Sequence, residues 1–135
     1  MYNSEISLVL APVAFIISLA ASSNCLEGSP EAGNQIYASC IACHSPERNR
    51  TGPRHCGLFG RKSGSVSGFE YSTAMREASI IWNTETLDRF LESPLTIVPG
   101  TTMGFAGIKD DKKRQDLIAY LKSVSDSPGI CVNNR

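Results

Sequence analysis

The chain has no excess of charge of either sign: 13 Lys and Arg stand against 13 Asp and Glu over 135 residues. A protein that grips nucleic acid through its phosphates needs a marked basic excess, so that class is excluded. Long apolar runs are also missing. The longest, residues 6–19, falls short of the roughly 20 residues that a spanning helix needs. There is no internal repeat, no low-complexity tract and no convincing alternation of apolar and polar residues, so nothing argues for strands. What is present is one domain's worth of chain, 41% hydrophobic and 19% charged, enough to bury a core and unlike a disordered segment. Eleven Gly and seven Pro make it rich in loops.

The first residues differ from the rest. The uncharged run Ile6 to Leu19 precedes Ala20-Ala21-Ser22-Ser23, the order of a secretory signal peptide over residues 1–23 with cleavage between 20 and 23. Against the usual form, residues 1–5 carry Glu5 and no Lys or Arg, and Pro12 interrupts the run. A retained membrane anchor is the alternative, for which the run is short. Cys25 raises a lipid-attachment reading, but Ser23-Asn24 ahead of it matches poorly. Residues 24–29 then lead into a domain over 30–124, and 125–135 form a tail. Export places the domain in an oxidising compartment, the periplasm.

Helix signals recur along the domain. Ser29 as N-cap with Pro30 and Glu31 predicts a helix to about Cys40. Ser72 caps a short helix to Ala78, and Asn83 caps another to Glu92, stopped by Ser93-Pro94. Asp110 or Asp111 starts a last helix to about Val124, with Leu117, Ile118, Leu121 and Val124 at helical spacing. Residues 45–68 and 98–107 read as loop. The expected fold class is all-α, with a large share of irregular chain that needs something to pack around.

Five cysteines is an odd count, and their placement is the strongest signal. Cys40-Ile-Ala-Cys-His44 is the haem attachment pattern: two thiols three apart each add across one haem vinyl group, and the next residue offers its imidazole to the iron. A Cys-x-x-Cys redox pair has no need of the following His. A zinc site wants two further ligands at matching spacing, and only His55 and Cys56 are near.

With that motif, the order of further blocks carries a resemblance. Thr51-Gly-Pro53, Gly57-Leu-Phe-Gly-Arg-Lys62, Gly68-Phe-Glu-Tyr-Ser72, Trp82, Glu85-Thr-Leu87, Pro99-Gly-Thr-Thr-Met103, Phe105-Ala-Gly-Ile108 and Asp116-Leu-Ile-Ala-Tyr-Leu-Lys122 follow one another between Pro30 and Lys122. In these blocks the chain resembles class I cytochromes c, especially the bacterial c2 kind and their mitochondrial relatives. The resemblance implies a fold of three to four short helices and long loops around one covalently bound haem c. It implies His44 as proximal axial ligand, with the Pro53 carbonyl taking its other ring proton, and Met103 as the sixth ligand. Arg61, Tyr71 and Trp82 match positions that bind the inner haem propionate, assisted by Ser72 and Thr101. Gly33 and Tyr37 match positions where the first helix crosses the last at Leu117 and Tyr120.

Departures from the family pattern matter as well. The loop from His44 to Pro53 is about three residues shorter than in mitochondrial relatives, so a tighter turn is expected to place Pro53. Phe90 and Met75 stand where many relatives have Tyr and Asn, which removes polar groups from the Met103 sulfur side. His55 replaces a usually apolar residue and is expected on the proximal side, partly exposed. Positions of the lysine ring that steers mitochondrial cytochromes read Asn34, Gln35, Ser39, Leu95, Thr96 and Thr102, and only Lys109 clearly remains. Family folds bring Cys56 near the end of the last helix, where an oxidising compartment lets it join Cys131; whether the two pair or stay free is open at this level.

The implied activity is that of an electron carrier rather than an enzyme. A soluble, monomeric monohaem cytochrome would pass single electrons in the periplasm or at the membrane. The partner classes are a quinol-oxidising complex, a terminal oxidase, a photosynthetic reaction centre or a periplasmic dehydrogenase. A haem-based ligand sensor or peroxidase-like protein with a displaceable Met103 is the alternative.

Overall fold

The computed structural model describes residues 28–131. The expected leader, its cleavage region and Cys25 lie outside the described residues. Among those described, the secondary structure is all-α, with five helices and no strand.

Each of the four expected helices begins where a side chain takes up an otherwise free amide. Helix α1, Pro30–Tyr37, has Ser29 Oγ accepting from the Ala32 amide at 3.2 Å. Helix α2, Thr73–Glu77, has Ser72 Oγ accepting from Met75 at 3.2 Å. In front of α3, Thr84–Glu92, Asn83 and Thr86 each accept the other's backbone amide at 2.9 Å. The short α4, Pro94–Ile97, was not expected: Ser93-Pro94 stops α3 but Pro94 also sits at the first position of a new turn, which its fixed φ favours. Helix α5, Asp111–Ser125, is capped by Asp110 Oδ1 on Lys113 N at 2.9 Å.

The first helix ends earlier than its sequence signals predict. Beyond Tyr37 the chain tightens, with Cys40 N donating to Tyr37 O at 2.8 Å and Cys43 N to Cys40 O at 3.0 Å. These i to i+3 bonds replace the α-helical pattern through the segment that carries both free thiols.

Helices α1 and α5 pack directly on each other, and α3 packs on α5. The α1–α5 approach depends on Gly33, where a Cβ would fall 1.9 Å from the Asp116 carbonyl oxygen. Any side chain there forces the helices apart. Ser29 N donates to Asp116 Oδ1 at 2.6 Å, so the carboxylate that Lys112 also pairs with ties the start of α1 to α5. On the other side of α5, Arg114 is 5% exposed yet fully engaged. Its guanidinium bonds Asp88 of α3 and Asp111, each at 2.7 Å, and the carbonyls of Ile108 and Lys109. A buried cation would be costly without such partners. The long 45–71 segment is held in part by an isolated bridge, Lys62 to Ile81, with Trp82 N donating to Arg61 O at 2.9 Å and Ser63 N to Ile80 O at 2.7 Å.

The pairing that the sequence leaves open is present. Cys56 and Cys131 form a disulfide with Cα atoms 5.6 Å apart. Beside it, Gly57 N donates to Ser125 O at 2.8 Å and Leu58 N to Ser125 Oγ at 2.9 Å, so the tail past α5 is fastened to the loop that follows Pro53. Alkylation of the unreduced, denatured holoprotein is expected to label neither Cys56 nor Cys131. A double Cys56→Ser, Cys131→Ser variant should lose up to about 4 kcal/mol in denaturant unfolding, given the length of the closed loop.

Candidate functional site

A large cleft opens among the described residues where the core would otherwise close, lined by Tyr37, Leu58, Leu87, Phe90, Leu91, Leu117 and Leu121 among others. All nine candidate residues read from the sequence lie on it: Cys40, Cys43, His44, Pro53, Arg61, Tyr71, Trp82, Thr101 and Met103.

The turns after α1 present Cys40, half-buried, and Cys43, exposed, as free thiols. Burial pushes the Cys40 thiol pKa up, only partly opposed by Ser39, which keeps it protonated. His44 follows them. Its pKa is lowered by burial, against the opposing pull of the Pro53 carbonyl, so the ring is neutral near pH 7. Nδ1 donates to Pro53 O at 2.8 Å, which leaves the Nε2 lone pair free. That is the form of imidazole a metal binds.

The short loop to Pro53 is closed by a main-chain bond from Gly52 N to Cys43 O at 2.7 Å, the tight turn its length demands. Gly52 also lies against the imidazole: a Cβ there would fall 2.4 Å from His44 Cε1. Arg50 Nη1 donates to Ile41 O at 2.6 Å and Arg54 N to Asn49 Oδ1 at 3.1 Å, bracing the loop from both sides.

From the 98–108 segment comes Met103, half-buried, its amide donating to Thr101 Oγ1 at 3.3 Å. The Thr101 hydroxyl therefore holds the methionine loop as well as facing the cleft. Ser72 Oγ similarly accepts the α2 amide of Met75. Met75 and Phe90 are buried on the same cleft, with the Phe90 ring 5.0 Å from that of Trp82.

Arg61 is the main polar feature. It donates to Cys56 O at 2.9 Å and Arg54 O at 3.0 Å, while its buried Nε has no partner. Tyr71 lies close enough for its pKa, raised mainly by burial, to be partly lowered by Arg61. An orphaned guanidinium N–H in an apolar cleft suits an anionic oxygen from a bound group.

His55, expected to be partly exposed, is half-buried and lies beside His44. Its contacts were not foreseen. The ring stacks on His44, centroids 4.5 Å apart and planes 19° from parallel, and Nδ1 lies 3.0 Å from the Tyr37 hydroxyl. Burial first, then His44 and Arg61, keeps its pKa well below the usual value, so this ring is neutral too. No sequence spacing links residues 37 and 55.

The residues fit a haem: two thiols, a neutral imidazole with a free nitrogen, a thioether, a mostly apolar cleft and an unpartnered arginine N–H. Among the described residues no three or more His, Cys, Asp or Glu are grouped so as to hold a bare metal ion.

Comparison with known proteins agrees. The Cytochrome c family model matches residues 30–125. Cytochrome c of Euglena viridis is 47% identical over 102 residues, covering 73% of this chain and all of that protein. Cytochrome c2 of Blastochloris viridis is 44% identical over 94 residues, 67% of this chain and 74% of that one. Among solved structures, cytochrome cH from Methylobacterium extorquens superposes with a TM-score of 0.69 at 41% identity, covering 71% of this chain and 99% of the other. The chain belongs to the cytochrome c family, as a class I cytochrome that carries one covalently bound haem c and moves electrons to and from redox partner proteins rather than acting as an enzyme.

Proposed function

We propose that the chain is a periplasmic one-electron carrier in which His44 and Met103 are the two axial ligands. The observation that carries this reading is the His44 ring, neutral and tied at Nδ1 to Pro53, on the same cleft as a methionine that its own loop holds in place. Haem bound here supplies reversible one-electron chemistry at iron, and a neutral thioether ligand favours the ferrous state. With His44 and Met103 both holding the iron, the chain would leave it no open position for a substrate.

The other residues divide the work. Cys40 and Cys43 would hold the group covalently. Arg61, Tyr71 and Trp82, with Thr101 and Ser72, would receive the inner propionate, and the unpartnered Arg61 Nε would give the anion a buried donor. Phe90 and Met75 offer no polar hydrogen to the methionine side.

Export is supported by the order of residues 1–23 and by the Cys56–Cys131 disulfide, a bond that persists in oxidising compartments. After cleavage, residues 24–29 would precede the 30–124 domain. Loss of Glu5 with the leader leaves a net charge of about +1, which two propionates turn to about −1. Among the described residues no helix is long and apolar enough to cross a membrane. Partners of the proposed kind are a quinol-oxidising complex, a terminal oxidase, a reaction centre or a periplasmic dehydrogenase.

Docking is proposed to use a nearly neutral rim. Asn34, Gln35, Ser39, Thr96 and Thr102 are exposed and uncharged, Leu95 is 54% exposed, and Ile97 and Phe105 are half-exposed. Lys109, the lysine left there, donates to the Glu92 carbonyl at 2.7 Å.

The ferric spectrum tests ligation: low-spin iron with a Met-to-iron charge-transfer band is expected, and Met103→Ala should abolish the band. High-spin, five-coordinate iron in the unaltered protein would favour the ligand-binding sensor instead. Gly52→Ala should cost about 1–3 kcal/mol in holoprotein unfolding, because the added methyl meets the His44 ring. Electron-transfer rates to the natural oxidant should change little from low to high ionic strength; a steep fall would point to a charged docking face.

A further inference from the structure

The proximal side holds a second imidazole that ligation does not require. His55 lies face to face with His44 at 4.5 Å and 19°. Its far edge is held by the Tyr37 hydroxyl at 3.0 Å. Tyr37 itself is 3% exposed and packs on Tyr120 of α5 with ring centroids 5.0 Å apart. The backbone of His55 is fixed as well, its amide donating to the carbonyls of Ser45 and Pro46, with the disulfide-bonded Cys56 next in the chain. A row of rings thus runs from α5 through α1 to the face of the proximal imidazole.

Such a row constrains something that the Pro53 bond alone leaves loose. One hydrogen bond at Nδ1 selects the tautomer and anchors an edge, but resists tilting of the ring only weakly, because hydrogen bonds tolerate tens of degrees of misalignment. A flat, rigid neighbour in face contact resists it directly, since tilting drives atoms into a close-packed surface. A leucine or valine in place of His55 would give bulk without a flat face or a hydrogen-bonded edge.

We propose that His55, held by Tyr37, is a positioning residue that sets the plane of the His44 imidazole and so the orientation of the axial ligand at the iron. This rests on the reading of His44 as ligand given above. The plane of an axial imidazole fixes how the unpaired electron of the low-spin ferric iron spreads over the haem. Its orientation is therefore readable independently of redox activity.

The test compares ferric holoproteins of the unaltered chain, His55→Leu, His55→Phe and Tyr37→Phe, by electron paramagnetic resonance and by the hyperfine-shifted haem-methyl proton signals. His55→Leu is expected to change the g-value spread and the spacing of the methyl signals while the iron stays low-spin with its Met band. Tyr37→Phe, which removes one oxygen and keeps the fold, should shift the same signals in the same direction by less. His55→Phe, which restores a flat face, should return them toward the unaltered pattern. Denaturant unfolding is measured in parallel. If stability falls while the magnetic signals of His55→Leu and Tyr37→Phe match those of the unaltered protein, His55 is packing alone and the proposal is overturned. Should His55→Leu fail to fold, the Tyr37→Phe signals decide by themselves. Absence of low-spin iron in the unaltered protein is the separate outcome that removes His44 and Met103 as a ligand pair, and the positioning role with it.

Discussion

The bond from His44 Nδ1 to the Pro53 carbonyl is the contact on which the rest of the site depends. It commits one ring nitrogen and leaves the other free, while burial, against the pull of this same bond, keeps the ring neutral. It also joins the end of the cysteine-bearing turns to the loop whose far side carries His55, Cys56 and Arg61. Gly52 makes the approach possible, because the loop passes so close to the imidazole that even a methyl group has no room. The loop's shortness is compensated by the Gly52 to Cys43 main-chain bond, which closes it at the neck.

What the sequence revealed and what it hid follow from the range of the interactions involved. Caps are local, so Ser29, Ser72 and Asn83 could be read directly and Asp110 as one of two candidates, and each accepts an amide three residues on. The attachment motif is local as well. The end of α1 was missed by about three residues because the switch from i+4 to i+3 bonding leaves no mark in residue type. Helix α4 was hidden by Pro94, which reads equally as the stop of one helix or the start of another. Contacts made only by the fold were the least legible. Cys56 and Cys131 are 75 positions apart, and nothing in that spacing separates a bond from two free thiols. The Tyr37 to His55 bond joins residues on different elements, and a lone histidine gives no sign of the face it will cover.

Charge is spent inside this molecule more than on its rim. Arg114 is consumed by Asp88, Asp111 and two carbonyls, Lys112 by Asp116, Arg61 by two carbonyls, and Lys109 by the end of α3. Arg114 is buried and Arg61 half-buried, and cations of this kind fix how loops meet helices and contribute little to a long-range field, whereas the exposed Lys109 and Lys112 pair at the surface. The near-balance of acidic and basic residues thus describes a protein whose cations serve its own architecture.

The disulfide has a topological meaning beyond its contribution to stability. Residues 56–131 form a closed covalent ring that contains α2 to α5 and the Met103 loop, while Cys40 and Cys43 lie outside it, joined by the short stretch 44–55. On unfolding, the ring cannot open into a free chain, and haem thioether-bonded at residues 40 and 43 would remain tethered to its edge by residues 44–55. The Met103 loop inside the ring is then never far from the bound group, so the denatured ensemble is compact and the search that precedes refolding is short.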